Sequence, residues 1–425
     1  MLWAGLYFFC LLAAYYALRP MRDAFGAENP YELHWLFTGT MVATFVAQPL
    51  FGRLVSRRGR AAFLPIAYRF LIANALVFGL LLGTLEGEAL RWAQRAFFVW
   101  LSVFNVFGVS IFWGFLADIL GPERAKRLYG PIAVGGTLGA INGSVLAGHG
   151  LELLEAGARS VGWTDLAQAP FLLPLLSAVF LEVAVHAARR VERVPLVSDA
   201  TDPADAEEPL GGGATDGFRE VVRSPYLGGI AGYVLLFVLV STMLYFITGV
   251  QTSEAFADEM ERSAFYARVD LWVNVLTLVF QVLLTSQVLR RLGVGVALAA
   301  VPAVGLVGFS MVASDPGLTA LAILFVARRS FEFGFSKPAR ESLFAVVRRE
   351  EKYKAKTVID AFVYRVGDAA VMWIQAGLTA LGVGITALAW GMVPVCAGSL
   401  ILALWLGRSH GRRSHRGRQR ASLGA

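Results

Sequence analysis

Apolar runs of 18 to 25 residues recur along the whole chain, separated by short stretches in which arginine, glycine and proline gather. A helix of that length crosses a hydrocarbon layer of roughly 30 Å. In lipid a continuous helix also satisfies its own backbone hydrogen bonds. The pattern predicts twelve crossings, near 2–19, 33–52, 61–84, 95–117, 129–150, 168–188, 226–249, 267–289, 294–313, 317–337, 358–381 and 383–407. The first run has no basic leader and no small-residue cleavage site, and it ends in Arg19-Pro20, so it reads as a mature helix rather than a signal peptide. Composition agrees. Of 425 residues 56% are hydrophobic and 16% charged, against about 25% charged in a soluble domain. That excludes a soluble enzyme, a secreted disulfide scaffold and a disordered chain. The expected fold is an all-α integral membrane protein.

Charge orients the spans. Alternate loops carry 26 Lys and Arg residues, including Arg53, Arg57, Arg58 and Arg60, the cluster from Arg340 to Lys356 and the tail from Arg408 to Arg420. The opposite loops carry seven. Basic residues accumulate on the cytoplasmic side, so both termini are expected there, which requires an even number of crossings. The net charge of +7 is accounted for by these loops and calls for no nucleic-acid partner. The tail reads first as a topology anchor, with acidic lipid headgroups as a further contact.

Residues 189–225 break the apolar rhythm. Between basic ends lies SDATDPADAEEPLGGGATDG, acidic, rich in Pro and Gly and without the apolar side chains that build a core. It divides the chain into an N-terminal six-helix bundle over 1–188, a cytoplasmic linker over 189–225, a C-terminal six-helix bundle over 226–407 and a basic tail over 408–425. A weak internal repeat at a constant offset of 228 places Glu123 on Glu351, Lys126 on Lys354 and Gly139 on Gly367. The loop Gly52-Arg53-Leu54-Val55-Ser56-Arg57-Arg58-Gly59-Arg60 resembles the major facilitator signature G-x-L-a-D-R-x-G-R. The resemblance implies two bundles rocking about a central site, with Arg57 in a cytoplasmic latch. Ser56 stands where the signature has aspartate.

An ionisable side chain at membrane depth costs about 2.5–3.5 kcal/mol on insertion scales, so each one asks for a function. The first span ends Tyr15-Tyr16-Ala17-Leu18-Arg19-Pro20-Met21-Arg22-Asp23. Interfacial anchoring accounts for one arginine there; two Arg and two Tyr so close together fit an inward-facing anion contact better. The tenth span carries Arg328, Arg329, Glu332 and Lys337. Glu332 is spaced to neutralise one arginine along the helix, which leaves positive charge over. In the eleventh, Asp360, Tyr364 and Asp368 recur every four residues beside Arg365, which is spaced to pair with Asp368. That stripe reads either as an internal salt bridge or, with Glu332, as a proton or ion relay. Asn274 and its like are interhelical hydrogen-bonding groups or ligands. Gly135, Gly139 and Gly143 form a small-residue ridge for close helix packing. Cys10 and Cys396 lie inside apolar runs and read as packing residues. Scattered histidines give no metal site, and no phosphate-loop sequence is present, which excludes an ATP-hydrolysing pump.

Three stretches together resemble the ATP/ADP translocase family, nucleotide exchange carriers similar to the major facilitators. Tyr16-Ala17-Leu18-Arg19-Pro20-Met21-Arg22-Asp23 is similar to Y-x-L-L-R-D-T-K-D; Phe112-Trp113-Gly114-Phe115-Leu116-Ala117 with Ala125-Lys126-Arg127-Leu128-Tyr129 is similar to F-W-x-F-A-N and A-K-R-F-Y; Lys354-Ala355-Lys356-Thr357-Val358-Ile359-Asp360 with Arg365 and Gly367 is similar to K-G-K-A-A-I-D and R-x-G-K. Two departures change charge: Asp118 stands for the family's asparagine, and Asp368 for the lysine after Gly367. The resemblance implies a secondary transporter that exchanges nucleotides or other phosphorylated organic anions by alternating access. The other reading is a proton-coupled facilitator for a different small solute. Substrate contacts are expected from Arg19, Arg22, Tyr15, Tyr16, Arg328, Lys337, Arg365 and Asn274. Coupling or gating is expected from Glu332, Asp360, Asp368, Asp118 and Arg57. No enzyme activity and no cofactor are expected. The setting is the inner membrane of a bacterium, with a small anionic substrate and the lipid bilayer as partners and the protein a monomer.

Overall fold

The computed structural model describes residues 1–57, 60–150, 172–193, 216–347, 351, 355–356 and 358–423. The linker stretch 194–215, Arg58 and Gly59 of the loop signature, and Lys352 to Lys354 lie outside them. The described residues are almost wholly helical. Among the described residues nine helices are long and apolar enough to cross a membrane. The other three expected crossings are helical too. Leu33–Arg57 is thinned by His34, Thr38, Thr40, Thr44 and Gln48, while Leu318–Phe331 and Tyr364–Ala380, with the π-helical turns Glu332–Ser336 and Val358–Val363, carry the charges already singled out. Large apolar side chains such as Phe70, Leu80, Val307 and Ile401 face outward, as a lipid-solvated surface requires.

The chain divides into two compact units, Met1–Ser198 with Thr252–Val275, and Asp199–Gln251 with Leu276–Ala425. The first is built round α1 (Leu2–Glu28), which buries nineteen of its residues although Pro20 interrupts its hydrogen-bond ladder. Around it stand α2 (Leu33–Arg57), α3 (Arg60–Thr84), α4 (Gly87–Val145) and α5 (Leu172–Arg193). Helix α4 is unbroken in backbone hydrogen bonding, yet its arms run in opposite senses along α1. Phe97 meets Phe25, Phe104 meets Tyr15, and Phe112 stacks on Phe8 at 4.2 Å, in antiparallel order. Gly135, Gly139 and Gly143 then meet Gly5, Phe9 and Ala13, in parallel order. The chain therefore reverses between the arms, where two separate crossings were expected. Tyr7 donates to Tyr68 at 2.7 Å and Tyr68 to the Gly108 carbonyl at 3.1 Å, binding α1, α3 and α4 through a buried polar relay.

The second unit contains α6 (Asp216–Arg223), α7 (Pro225–Ala255), α8 (Glu259–Val279), α9 (Thr285–Arg291), α10 (Gly293–Ser314), α11 (Leu318–Phe331), α12 (Lys337–Leu343), α13 (Tyr364–Ala380) and α14 (Ile385–Leu423), apart from Thr252–Val275 of α7 and α8. Helices α10 and α14 pack closely, with Gly295 against Gly407 and Gly305 against Cys396. Tyr233 donates to the Leu298 carbonyl at 2.9 Å and lies 2.9 Å from Ser336 Oγ; Tyr226 donates to the Leu343 carbonyl at 3.0 Å.

Candidate functional site

In the first unit the residues read from α1 gather into one buried cluster. The charges here are answered both along α1 itself and by the facing helix α8. Arg19 is 6% exposed; its guanidinium pairs with Asp270 of α8 and, at 3.4 Å, with Asp23 one turn along α1. The face of Tyr16 lies 5.6 Å from it. Arg22 donates Nη2 to Asp23 at 2.6 Å and Nη1 to Ser102 of α4 at 3.3 Å, over the ring of Phe98. Asn274 donates to the Asp270 carbonyl at 2.8 Å, one turn along α8. Tyr15 is buried edge-on to Tyr16 and Phe104. Arg19, Arg22, Tyr15, Tyr16 and Asn274 thus fall together.

Sequence reasoning passed over the groups that balance this cluster. Asp23 and Asp270 are 1% and 2% exposed, and two carboxylates against two guanidiniums leave no net charge. Asp23 was visible beside Arg22. Asp270 had the same signal as the arginines, an acid inside an apolar run, but its partner lies 251 positions away.

The second unit holds the other set. Arg328 is 3% exposed and lies over the ring of Phe237 at 4.7 Å. Its Nη2 donates to Ser241 Oγ and, at 3.4 Å, to the Phe237 carbonyl, while its Nε is buried without an acceptor. The expected pair with Glu332 does not form: among the described residues no carboxylate comes within 4.0 Å of Arg328. Here the physical reason is local. Arg328 turns toward α7, and the helix passes into a π-turn at Glu332, so side chains beyond it are rotated from their plain α positions. The carbonyls that turn releases are met by Gln281 at 3.5 Å from Phe333 and Thr285 at 2.6 Å from Gly334.

Lys337 is exposed, 5.5 Å from the ring centre of Phe333. Asp368 is buried and accepts a hydrogen bond from Thr242 at 2.7 Å, with Arg365 at 4.0 Å. The i, i+3 pair is present. Asp360 sits in the π-turn Val358–Val363 and is exposed, so it and buried Asp368 do not share one environment. The backbones of Arg57 and Asp118 are helical, and their side chains lie outside the described residues.

Chemically, the first cluster is a self-neutralised arginine pair whose guanidiniums are already occupied by carboxylates. The second offers a buried guanidinium with no carboxylate within 4.0 Å among the described residues. Both suit anion binding at membrane depth, and among the described residues no cluster of His, Cys, Asp and Glu has metal-binding geometry.

Among solved structures the chain is similar to the nucleoside transporter NupG (TM-score 0.61, 12% identity, 95% of this chain and 98% of that one). It is also similar to a bacterial homologue of the human lysosomal transporter Spinster (TM-score 0.57, 14% identity, 97% of each chain). At these identities the likeness establishes the fold alone. In sequence the chain is 23% identical over 461 residues to ADP,ATP carrier protein 1 of Chlamydia muridarum, covering 94% of this chain and 85% of that one. It is 24% identical over 329 residues to ADP,ATP carrier protein 2 of Chlamydia pneumoniae, covering 68% of this chain but only 59% of that protein's length. Residues 89–409 match the family described as TLC ATP/ADP transporter. A match over that much of the chain, on a fold of paired helical bundles, means that the protein belongs to the TLC ATP/ADP transporter family of membrane carriers.

Proposed function

We propose that this protein exchanges adenine nucleotides, or closely similar phosphorylated anions, across a bacterial inner membrane by alternating access. The chain acts as a monomer of twelve crossings with both termini in the cytoplasm. One observation carries the reading: Arg19 and Arg22 meet Asp23 and Asp270 inside the first unit, on the α1 segment that resembles the carriers' own motif. In this reading phosphate oxygens take the place of the carboxylates on the two guanidiniums, whose planar forks suit bidentate contacts. Tyr15 and Tyr16 flank the base or sugar. Binding must stay weak enough for release, which exchange of one anion for another, carboxylate for phosphate, provides.

The second unit contributes Arg328, Lys337 and Arg365 to the anionic end, with Glu332, Asp360 and Asp368 as charges that balance or couple. Arg328 gives a separate expected result. No carboxylate is stranded by its removal, so Arg328→Leu should unfold within about 1 kcal/mol of wild type or later. Exchange should nevertheless fall at least tenfold. Equal exchange in wild type and variant would remove Arg328 from the site.

The experiment that tests the function is uptake of labelled ATP and ADP into proteoliposomes, with and without internal nucleotide, for wild type and Arg22→Ala. Uptake that requires internal nucleotide and collapses in the variant supports exchange through α1. No uptake by folded protein removes nucleotides, and a proton-coupled facilitator becomes the reading, with Asp368 the residue to neutralise first.

A further inference from the structure

Away from the arginine cluster, the first unit carries two cavities that share a wall. One, of about 830 Å³, lies between α2 and the first arm of α4 and is lined mainly by apolar side chains, with three tryptophans, Trp35, Trp92 and Trp100. The other, of about 420 Å³, is polar and includes Glu28, Glu88, Arg91 and Gln94. Glu32, Leu36 and Arg95 belong to both. The result is one amphipathic hollow, apolar at one end and charged at the other, each part of it within the size range of ligand sites.

Its details select an occupant. Arg95 pairs with Glu32 at the junction and lies 5.0 Å from the ring centre of Trp92. Trp35 and Trp92 are each 61% exposed in the intact chain, the rim that amphipathic rings make at a membrane interface. Trp100 packs among Phe78, Phe97 and Phe104, and its indole N–H is buried with no acceptor. A buried indole N–H ordinarily finds one. The polar end holds three carboxylates and two guanidiniums. That mixture suits neither a nucleotide nor an anionic lipid, each of which would set its phosphate against Glu28, Glu32 and Glu88. It suits a headgroup carrying both signs.

We infer that this hollow binds a phospholipid whose headgroup bears a phosphate and a primary ammonium, with an acyl chain in the tryptophan-lined groove. Arg95 and Arg91 hold the phosphate, and the three glutamates accept the ammonium N–H groups. A trimethylammonium group has no N–H to donate, so the carboxylates distinguish an ethanolamine from a choline headgroup of equal charge.

The test is native mass spectrometry of the delipidated full-length protein with phosphatidylethanolamine, phosphatidylcholine and phosphatidylglycerol of identical acyl chains. Charge-assisted hydrogen bonds at about 1.5–3 kcal/mol predict that the ethanolamine lipid binds about tenfold or more tighter than either other lipid. Glu32→Gln should reduce its advantage over the choline lipid, and Arg95→Gln should weaken both. Equal retention of the three lipids, or variants that bind like wild type, would overturn the assignment. So would displacement of the lipid by ATP in the wild type, which would give the hollow to the substrate.

Discussion

Arg19→Ala is expected to abolish exchange and to cost the protein about 3–5 kcal/mol of stability, the range for removing one partner of a buried ion pair. Asp270 then keeps a buried charge whose cation is gone, in surroundings that water does not reach. Asp23 is better placed, because Arg22 still contacts it at 2.6 Å. The penalty should therefore trace to Asp270. Neutralising it in the same background, as Arg19→Ala with Asp270→Asn, should recover most of the lost stability while exchange stays absent. Thermal unfolding of the four proteins of that cycle reads the coupling directly. If Arg19→Ala unfolds like wild type, the pair is not what holds α8 against α1.

The comparison with Arg22→Ala separates binding from architecture. Arg22 is only partly buried, and the acid it touches has a second cation in Arg19. Its loss should leave the unfolding midpoint near that of wild type while transport collapses. In the proposed reading both arginines offer their guanidiniums to phosphate, and Arg19 also ties α1 to α8.

How much of this was legible beforehand follows the range of the interactions. Membrane insertion, the all-helical fold and the gathering of charge on α1 rest on local facts, namely run length, the spacing of Arg19 and Arg22, and the cost of charge in lipid. The glycine ridge was legible for the same reason, since three small residues at intervals of four mark one helix face. Asp270 was not. Its partner is set by how α8 packs on α1, which no helical period contains. Arg328 misled for a related reason: spacing offered Glu332, but Ser241 of α7 and a π-turn took the side chain elsewhere. The reversal between the arms of α4 was legible as two apolar runs parted by a basic stretch, although the backbone there stays helical.

That ridge makes the other large effect. A Cβ on Gly139 would strike the carbonyl oxygen, carbonyl carbon and Cα of Phe9. These are backbone atoms of the central helix and cannot rotate aside as a side chain can. Relief requires α1 and the second arm of α4 to move apart, which loosens contacts from Gly5 to Ala17 along the whole seam. Gly139→Ala, an addition of one carbon, should therefore cost about 3 kcal/mol, the upper part of the range for overpacked cores, and Gly139→Val should prevent recovery of folded protein. Gly143→Ala meets the Ala13 carbonyl at 2.5 Å and the Ala17 nitrogen at 2.9 Å and should follow the same trend. Gly377 and Gly398 are helical glycines with open space where a Cβ would go. Alanine at either should be neutral or stabilising by up to about 1 kcal/mol, through helix propensity alone. Thermal unfolding in one detergent decides it. The same substitution gives opposite signs if backbone approach governs, and one sign throughout if flexibility of glycine in these helices is what matters. Because α1 carries Arg19 and Arg22, a seam opened at Gly139 should also shift the arginine cluster, so Gly139→Ala is expected to lose exchange even in the fraction that remains folded.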